Sequence, residues 1–225
     1  MIYLKVGRGA ERDEACIAGV RDGIGPGRLL RIDPNEAWDA ATAVERIRRL
    51  ELYDLDWVEQ PTPAQDVDGL AHVRRSVQTK IAADQAVFTT GQLRHVLQKE
   101  AADVIVQGSH DAGGLLRWRQ QAFMCDAHGL KVNRHAFFES DISFYANAQV
   151  ASTIPNLTLG NQVMHQLLAE PLTLGRPPLL EQGQYRLNDA PGHGFELDLD
   201  AVARAHERWE RDGPYNTIES VATAR

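Results

Sequence analysis

Residues 55–84 have the sequence LDWVEQPTPAQDVDGLAHVRRSVQTKIAAD. The stretch begins with a short apolar run at 55–58, continues with a helical pattern over 67–76 and ends in a second short run at 80–83. Two strands joined by a helix of this length form a β-α-β unit, whose strands lie parallel. This unit decides the fold class, because most of the chain repeats the same alternation.

The repeat extends in both directions from this unit. Strands are predicted at 2–6, 29–32, 104–106 and 130–132, and a weaker one near 157–159; helices are predicted at 10–22, 37–50, 90–98, 114–127 and 143–151. The glycines Gly7 and Gly9 lack the third glycine of a dinucleotide-binding turn, which argues against such a sheet. Six strong strand–helix units therefore predict an α/β fold of the TIM-type (β/α) barrel class.

The character of the sequence changes near residue 172, where Gly, Pro and short apolar pieces replace the alternation until a helix predicted at 199–211. We therefore expect a barrel over residues 1–171 and a C-terminal segment over residues 172–225.

The composition limits the possible partners. The 24 Lys and Arg against 31 Asp and Glu give a net charge of −7, which argues against a nucleic-acid-binding protein. No apolar run is long enough to span a membrane. Cys16 and Cys125 fall inside predicted helices and form no motif, so we expect buried, reduced thiols in a cytoplasmic protein.

Three acids stand at the ends of consecutive predicted strands. Asp33 and Glu59 are 26 residues apart, and Glu59 and Asp84 are 25 residues apart, which is one strand–helix unit each. Neighbouring strands lie about 4.8 Å apart, so the three carboxylates can converge. Converging carboxylates repel one another unless a cation lies between them, and hard oxygen ligands favour Mg²⁺. A single acid such as Asp33 could instead cap the following helix, but three in this pattern favour the metal site.

Other polar groups share this edge of the predicted sheet. Lys5 ends the first strand and is predicted to act as a general base beside the cation, with His135, after the sixth strand, as an acid or second base. Asn35 and Gln107 also stand at strand ends. The position of His110 and Asp111, inside or outside the pocket, remains open, whereas four histidines on or beside helices are assigned to the surface: His72, His95, His128 and His206.

Five short motifs then appear in the order used by the enolase superfamily: Leu4-Lys5-Val6-Gly7, Asp33-Pro34-Asn35, Trp57-Val58-Glu59-Gln60-Pro61, Ala82-Ala83-Asp84 and Ala112-Gly113-Gly114. Over about residues 2–165 the chain resembles the mandelate racemase and muconate lactonizing branch. Residues 191–198 are similar to the C-terminal segment of these proteins, including glucarate dehydratase-like ones.

The resemblance implies Mg²⁺, or alternatively Mn²⁺, bound by Asp33, Glu59 and Asp84, with the carboxylate of a small substrate, a hydroxy acid, on the metal. Lys5 matches the base that removes the α-proton to give a metal-stabilised enediolate. His135 stands where the racemase and acid-sugar dehydratase types carry their catalytic histidine.

The chain also departs from the family pattern. Tyr3 stands two positions before the base, where the family usually has lysine or another residue. Gly108 stands where the lactonizing type has a second lysine and the racemase type has the aspartate that pairs with the histidine. Asp111 and Glu139 are the candidates to replace that aspartate, and Glu139 with Ser140 resembles a turn that lines the lactonizing pocket. Asn161 stands near the position of an acid that polarises the substrate carboxylate in the racemase type.

These features favour dehydration of a sugar acid. The alternatives are racemisation, epimerisation or cycloisomerisation of a carboxylate, and a non-catalytic barrel that binds a carboxylate. Because Lys5 would end the second strand of such a barrel, we expect the first strand and an N-terminal capping domain to be missing from this chain. The full-length form is expected to be a homo-oligomer.

Overall fold

The computed structural model describes residues 1–137, 139–174 and 181–213. Strands and helices alternate along them, as the sequence predicts. The strands are β1 (Ile2–Lys5), β2 (Leu30–Asp33), β3 (Trp57–Glu59), β4 (Lys80–Ala83), β5 (Val104–Gln107) and β6 (Lys131–Arg134). The helices are α1 (Ala10–Ile24), α2 (Ala40–Leu50), α3 (Val67–Ser76), α4 (Thr90–Gln98), α5 (Ser109–Ala112), α6 (Leu115–Ala127), α7 (Asp141–Ala151) and α8 (Leu199–Asp212).

The strands form one parallel sheet in chain order from β1 to β6. This order, with a helix between each pair of consecutive strands, confirms the predicted α/β class. The strand predicted near 157–159 is wrong: Leu157 forms only an isolated parallel bridge with Val132 of β6. One pair of backbone hydrogen bonds, from Val132 N to Asn156 O and from Thr158 N to Val132 O, is too little to continue the ladder. The absence of a first barrel strand and of a capping domain stays a prediction.

Apolar residues pack on both faces of the sheet, because successive side chains of a strand point to opposite sides. One cluster lies between the sheet and the helices and includes Ile32, Val58, Ile81 and Ile105. The other lies on the opposite face and consists of Trp57, Ala82, Val104 and Val106. The carboxyl ends of the strands are therefore held by apolar packing from both sides.

A buried arginine extends the second face. The guanidinium of Arg31 lies 3.4 Å above the ring centre of Trp57 and donates a hydrogen bond of 2.8 Å to Asp56. It also donates to the backbone oxygens of Leu159, at 2.8 Å, and Gly160, at 2.7 Å. These bonds join β2 to the turn that follows the isolated bridge.

Local signals set the helix ends. Helix α2 begins at Ala40, three residues later than predicted, because the Asp39 side chain accepts a hydrogen bond from Thr42 N and so caps the helix there. Thr89 caps α4 with Gln92 in a reciprocal arrangement. After β1, Gly7 has a φ of 93° and a Cβ there would lie 2.8 Å from Ala37 Cβ, so the turn that follows Lys5 needs glycine.

The described chain divides into two compact units. The first comprises Met1–Ala136 and Val150–Gln162, and the second comprises Phe137–Gln149 and the described part of Val163–Arg225. Within the second unit, buried Asp141 accepts hydrogen bonds from the backbone of Leu172 and Thr173. The predicted boundary at residue 171 stays a prediction, and residues 175–180 and 214–225 of the predicted C-terminal segment lie outside the described residues.

One of the two cysteines lies at the protein surface. Cys125 is buried, but Cys16 is exposed, so its predicted burial is wrong; helix α1 turns this residue to solvent. Both cysteines are free thiols. Across residues 1–137, 139–174 and 181–213, every helix is too short or too polar to cross a bilayer.

Candidate active site

The three predicted metal ligands come together at the carboxyl edge of the sheet. Asp33 ends β2, Glu59 ends β3 and Asp84 directly follows β4, and all three side chains are buried. Burial raises the pKa of Glu59 well above its usual range, and the charges of Asp84 and Asp111 add to the effect. Burial, Asp111 and Asp33 raise the pKa of Asp84 to about 7, although His135 and Lys5 oppose the rise.

This carboxylate group fits a divalent cation. In the described part of the chain, Asp84 Oδ1 is buried and accepts no hydrogen bond. Three buried carboxylates at adjacent strand ends offer hard oxygen atoms, which suit Mg²⁺ better than a softer metal. A cation on these residues would offset the repulsion that adds to burial in raising the pKa values of Glu59 and Asp84.

Hydrogen bonds hold Asp33 and Asp84 in place. The backbone N–H of Asn35 donates to Asp33 Oδ1 at 2.7 Å, and the Asn35 side chain accepts a hydrogen bond from Gln85. Gln60, which is fully buried, accepts from the backbone N–H groups of Asp84, at 3.0 Å, and Ala86. Gln60 was not among the predicted site residues, although it stands in the Glu59-Gln60-Pro61 motif.

Two side chains of β1 reach this group. Lys5 is paired with Asp33 in the sheet register, and its ammonium forms an ion pair with the Asp33 carboxylate. Tyr3 lies two residues earlier and so on the same face of β1, and its hydroxyl donates a hydrogen bond to Glu59. Lys5 remains 61% exposed, which leaves its amino group accessible to a substrate.

His135 directly follows β6, at the opposite end of the strand order from Lys5 in β1, and contacts Asp84. Its Nδ1 lies 3.1 Å from Asp111 Oδ2 and 3.4 Å from Asp84 Oδ1. Burial by itself lowers the pKa of His135, but the hydrogen bond and charge of Asp111 and the charge of Asp84 outweigh it and raise the pKa. The backbone N–H of Gly108 anchors Asp111 by donating to Oδ2 at 3.0 Å. Asp111 thus supplies the carboxylate that Gly108 does not.

A second histidine lies beside this pair. His110 Nε2 is 3.2 Å from Asp111 Oδ1, and the rings of His110 and His135 are centred 5.2 Å apart. A Cβ on Gly108 would lie 2.9 Å from His110 Cε1 and 2.8 Å from the His135 backbone oxygen. The missing side chain at residue 108 is therefore what gives the His110 ring its place.

The remaining predicted site residues make other contacts. Gln107 is buried and donates to the backbone oxygen of Val87 at 2.6 Å, which ties β5 to the connection after β4. Asn161 accepts from Arg134 N at 2.7 Å and donates to Thr158 O, so it shapes its own turn. Glu139 belongs to the second unit, where it accepts a hydrogen bond of 3.4 Å from Asn147.

A parallel sheet with acids at successive strand ends and a lysine and a histidine beside them is typical of barrel enzymes that act on carboxylates. Residues 1–202 match the family described as enolase C-terminal domain-like. The chain belongs to the enolase superfamily, in its mandelate racemase and muconate lactonizing branch.

Individual relatives agree with this assignment. "Muconate cycloisomerase 1" of Rhodococcus opacus is 32% identical over 183 residues, which are 81% of this chain and 48% of that protein. "Probable glucarate dehydratase" of Streptomyces coelicolor is 30% identical over 220 residues, which are 96% of this chain and 49% of that protein. The chain spans about half the length of the curated relatives it matches.

Solved structures match over a similar share. The crystal structure of an enolase from Thermobispora bispora complexed with magnesium and formate has a TM-score of 0.87 at 31% identity, over 95% of this chain and 50% of that chain. The superfamily generally binds Mg²⁺, in agreement with the chemistry of the carboxylate group.

Proposed function

We propose that this protein removes the proton α to the carboxylate of a small hydroxy acid and dehydrates it, with sugar acids as the substrate class. One observation carries the proposal: Lys5 and His135 lie on either side of the same buried carboxylates, Lys5 at Asp33 and His135 at Asp84. A base and an acid placed in this way can act on adjacent carbons of one substrate.

Asp33, Glu59 and Asp84 are the residues that would hold Mg²⁺, with Mn²⁺ as the alternative ion. When bound, the cation supplies positive charge that stabilises the negative charge developing on the substrate carboxylate. Tyr3 and Asn35 position Glu59 and Asp33 through hydrogen bonds and so keep the three oxygens converged.

Lys5, in its neutral amine form, accepts the α-proton at Nζ, and the electron pair of the C–H bond moves toward the carboxylate. His135 then donates a proton to the β-hydroxyl group, the C–O bond breaks and water leaves. The resulting enol tautomerises to a 2-keto acid. Asp111 and Asp84 raise the pKa of His135, so the imidazole holds the proton that this step requires. The dehydratase relative, which matches 96% of the chain, agrees with this reaction.

Cycloisomerisation, racemisation or epimerisation is the second candidate, favoured by the muconate cycloisomerase relative. It shares the first step, but no water leaves. A barrel that only binds a carboxylate is the third candidate. Assembly into a homo-oligomer and a cytoplasmic location remain predictions.

The experiment incubates the protein with Mg²⁺ and a panel of sugar acids and other hydroxy acids in deuterated water. Semicarbazide detects 2-keto acids, and proton NMR follows loss of the α-proton signal. A 2-keto product supports dehydration. Deuteration of the α-carbon without a 2-keto product supports the isomerase alternative. Binding of a carboxylate with no 2-keto product and no deuteration supports the barrel that only binds a carboxylate.

The Lys5→Met variant isolates the base. We expect it to lose both product and deuterium exchange while Mg²⁺ binding, measured by calorimetry, persists. Lys80→Met is the matched control, because Lys80 is equally exposed but stands at the opposite end of the sheet, on Asp56. Turnover that survives Lys5→Met contradicts the proposal.

A further inference from the structure

The pair formed by His135 and Asp111 has a neighbour that the reaction above does not use. Oδ1 of Asp111 faces His110 Nε2 at 3.2 Å, and Oδ2 faces His135 Nδ1 at 3.1 Å. One carboxylate thus lies between two imidazoles. Ligand atoms of the three residues all lie within 4.8 Å of one another.

We propose that His110, Asp111 and His135 form a second metal site, which takes a borderline-soft divalent cation, Zn²⁺, and blocks His135 when it is filled. Zn²⁺ binds imidazole nitrogen and carboxylate oxygen at about 2.0–2.1 Å, so its tetrahedral ligands are about 3.3 Å apart. The separations of the two imidazoles from Asp111, each measured to a different carboxylate oxygen, are close to that spacing, and one ligand atom from each residue lies within 4.8 Å of the other two. The donor set of two nitrogens and one carboxylate differs from the all-oxygen set of Asp33, Glu59 and Asp84, which favours Mg²⁺.

The surroundings are consistent with a site that an ion can enter. His110 is 39% exposed, whereas Asp111 and His135 are 7% and 16% exposed, so the ion meets His110 first and two largely buried ligands behind it. Gly108 leaves room for the His110 ring and fixes Asp111 through its backbone N–H. The sequence His110-Asp111 thus places two ligands next to each other, and His135 adds the third from the following strand end.

The consequence for catalysis rests on the proposed function. Zn²⁺ on His135 Nδ1 would occupy the ring nitrogen that faces Asp111 and leave only the other ring nitrogen to carry a proton. Such a ring cannot hold the additional proton that the departing hydroxyl needs. Zn²⁺ is therefore expected to inhibit turnover without displacing Mg²⁺.

The test titrates the full chain with ZnCl₂ in excess Mg²⁺ by calorimetry, and with Co²⁺ by visible absorption to record nitrogen ligation. We expect one Zn²⁺ per chain, and His110→Gln to weaken it at least about tenfold, the lower end of what loss of a supporting group costs a metal site. His72→Gln, on the exposed face of α3, is the matched control and should leave the Zn²⁺ affinity unchanged. Zn²⁺ binding that is absent, or equal in His110→Gln and the unmodified protein, overturns the proposal.

Mg²⁺ affinity in His110→Gln reports whether the variant is folded. Gly108→Ala gives a second, independent test, because it keeps all three ligands but its Cβ would press on the His110 ring; unchanged Zn²⁺ affinity there also overturns the proposal. In the turnover assay, Zn²⁺ should inhibit the unmodified protein and His72→Gln but spare His110→Gln. If Zn²⁺ binding depends on His110 but the protein shows no turnover, only the proposed function is refuted. If the protein shows turnover but its Zn²⁺ affinity is the same with and without His110, only the second metal site is refuted.

Discussion

Asp84→Asn tests how much the ionisation of the buried Asp84 carboxyl destabilises the folded protein. Asp84 has a pKa raised from 3.8 to about 7 by burial and by its acidic neighbours. A carboxyl whose pKa is higher in the folded than in the unfolded state favours folding below its unfolded pKa and loses that contribution as the pH rises through the folded value. Ionisation of Asp84 therefore destabilises the protein progressively between about pH 4 and pH 7.

The size of the effect follows from the two pKa values. At about 1.4 kcal/mol per tenfold change in the ionisation equilibrium, the rise from 3.8 to about 7 corresponds to about 4 kcal/mol. In buffer with a chelator, the quantity to compare is the free energy of unfolding of Asp84→Asn minus that of the unmodified protein. This difference should shift in favour of the variant by about 4 kcal/mol when the pH is raised from 4 to 8. Urea denaturation at both pH values measures this difference.

At pH 8, Mg²⁺ should offset most of the stability that the variant gains over the unmodified protein. The unmodified protein gains about 2.7 kcal/mol when Mg²⁺ is at a hundred times its dissociation constant, whereas the variant has lost a ligand. Asp126→Asn, on an exposed position of α6, is the matched control and should show nearly the same difference at both pH values. If the stability difference of Asp84→Asn is also the same at pH 4 and pH 8, the pKa of Asp84 is not raised by burial and by its acidic neighbours.

Three further substitutions test other parts of the structure. Asp111→Asn removes the charge and hydrogen bond that raise the pKa of His135, so an NMR titration of its ring should give a lower pKa; an unchanged value contradicts the pairing. Arg31→Met leaves Asp56 and two carbonyl groups without their donor and should cost about 3 kcal/mol in urea denaturation, and a loss below 1 kcal/mol would argue against the buried network. Gly7→Ala places a Cβ 2.8 Å from Ala37 Cβ at a φ of 93° and should cost about 1–3 kcal/mol, where a neutral effect would show that the turn adapts.

The sequence predicts the sheet well because each strand and helix carries its own local pattern. Helix α3 and strand β4 begin and end where predicted, since Asp66 caps the helix and an apolar run marks the strand. The convergence of Asp33, Glu59 and Asp84 follows from the parallel order alone, because residues at the carboxyl ends of neighbouring strands meet at one edge.

The contacts around the carboxylates could not be predicted in the same way. Gln60 has a φ of 34°, a backbone conformation that residues other than glycine rarely adopt, and its amide oxygen accepts from the backbone N–H of Asp84. His110 lies in a four-residue helix directly after β5, which gives no periodic signal. The same short helix places Asp111, rather than Glu139, beside His135. Asp111 is the third residue of this helix, and its carboxylate accepts a hydrogen bond from the backbone N–H of Gly108.

Arg31 has a consequence for how the chain folds. Its side chain is inserted early, in the second strand, but two of its three acceptors are the carbonyl groups of residues 159 and 160, more than 120 positions later. A buried guanidinium without acceptors is costly, so we expect the Arg31 side chain to stay hydrated until residues 159 and 160 are in place. We therefore expect β2 and the turn at residues 159 and 160 to become ordered together. In chains that end before residue 159, the Trp57 side chain should be accessible to fluorescence quenchers.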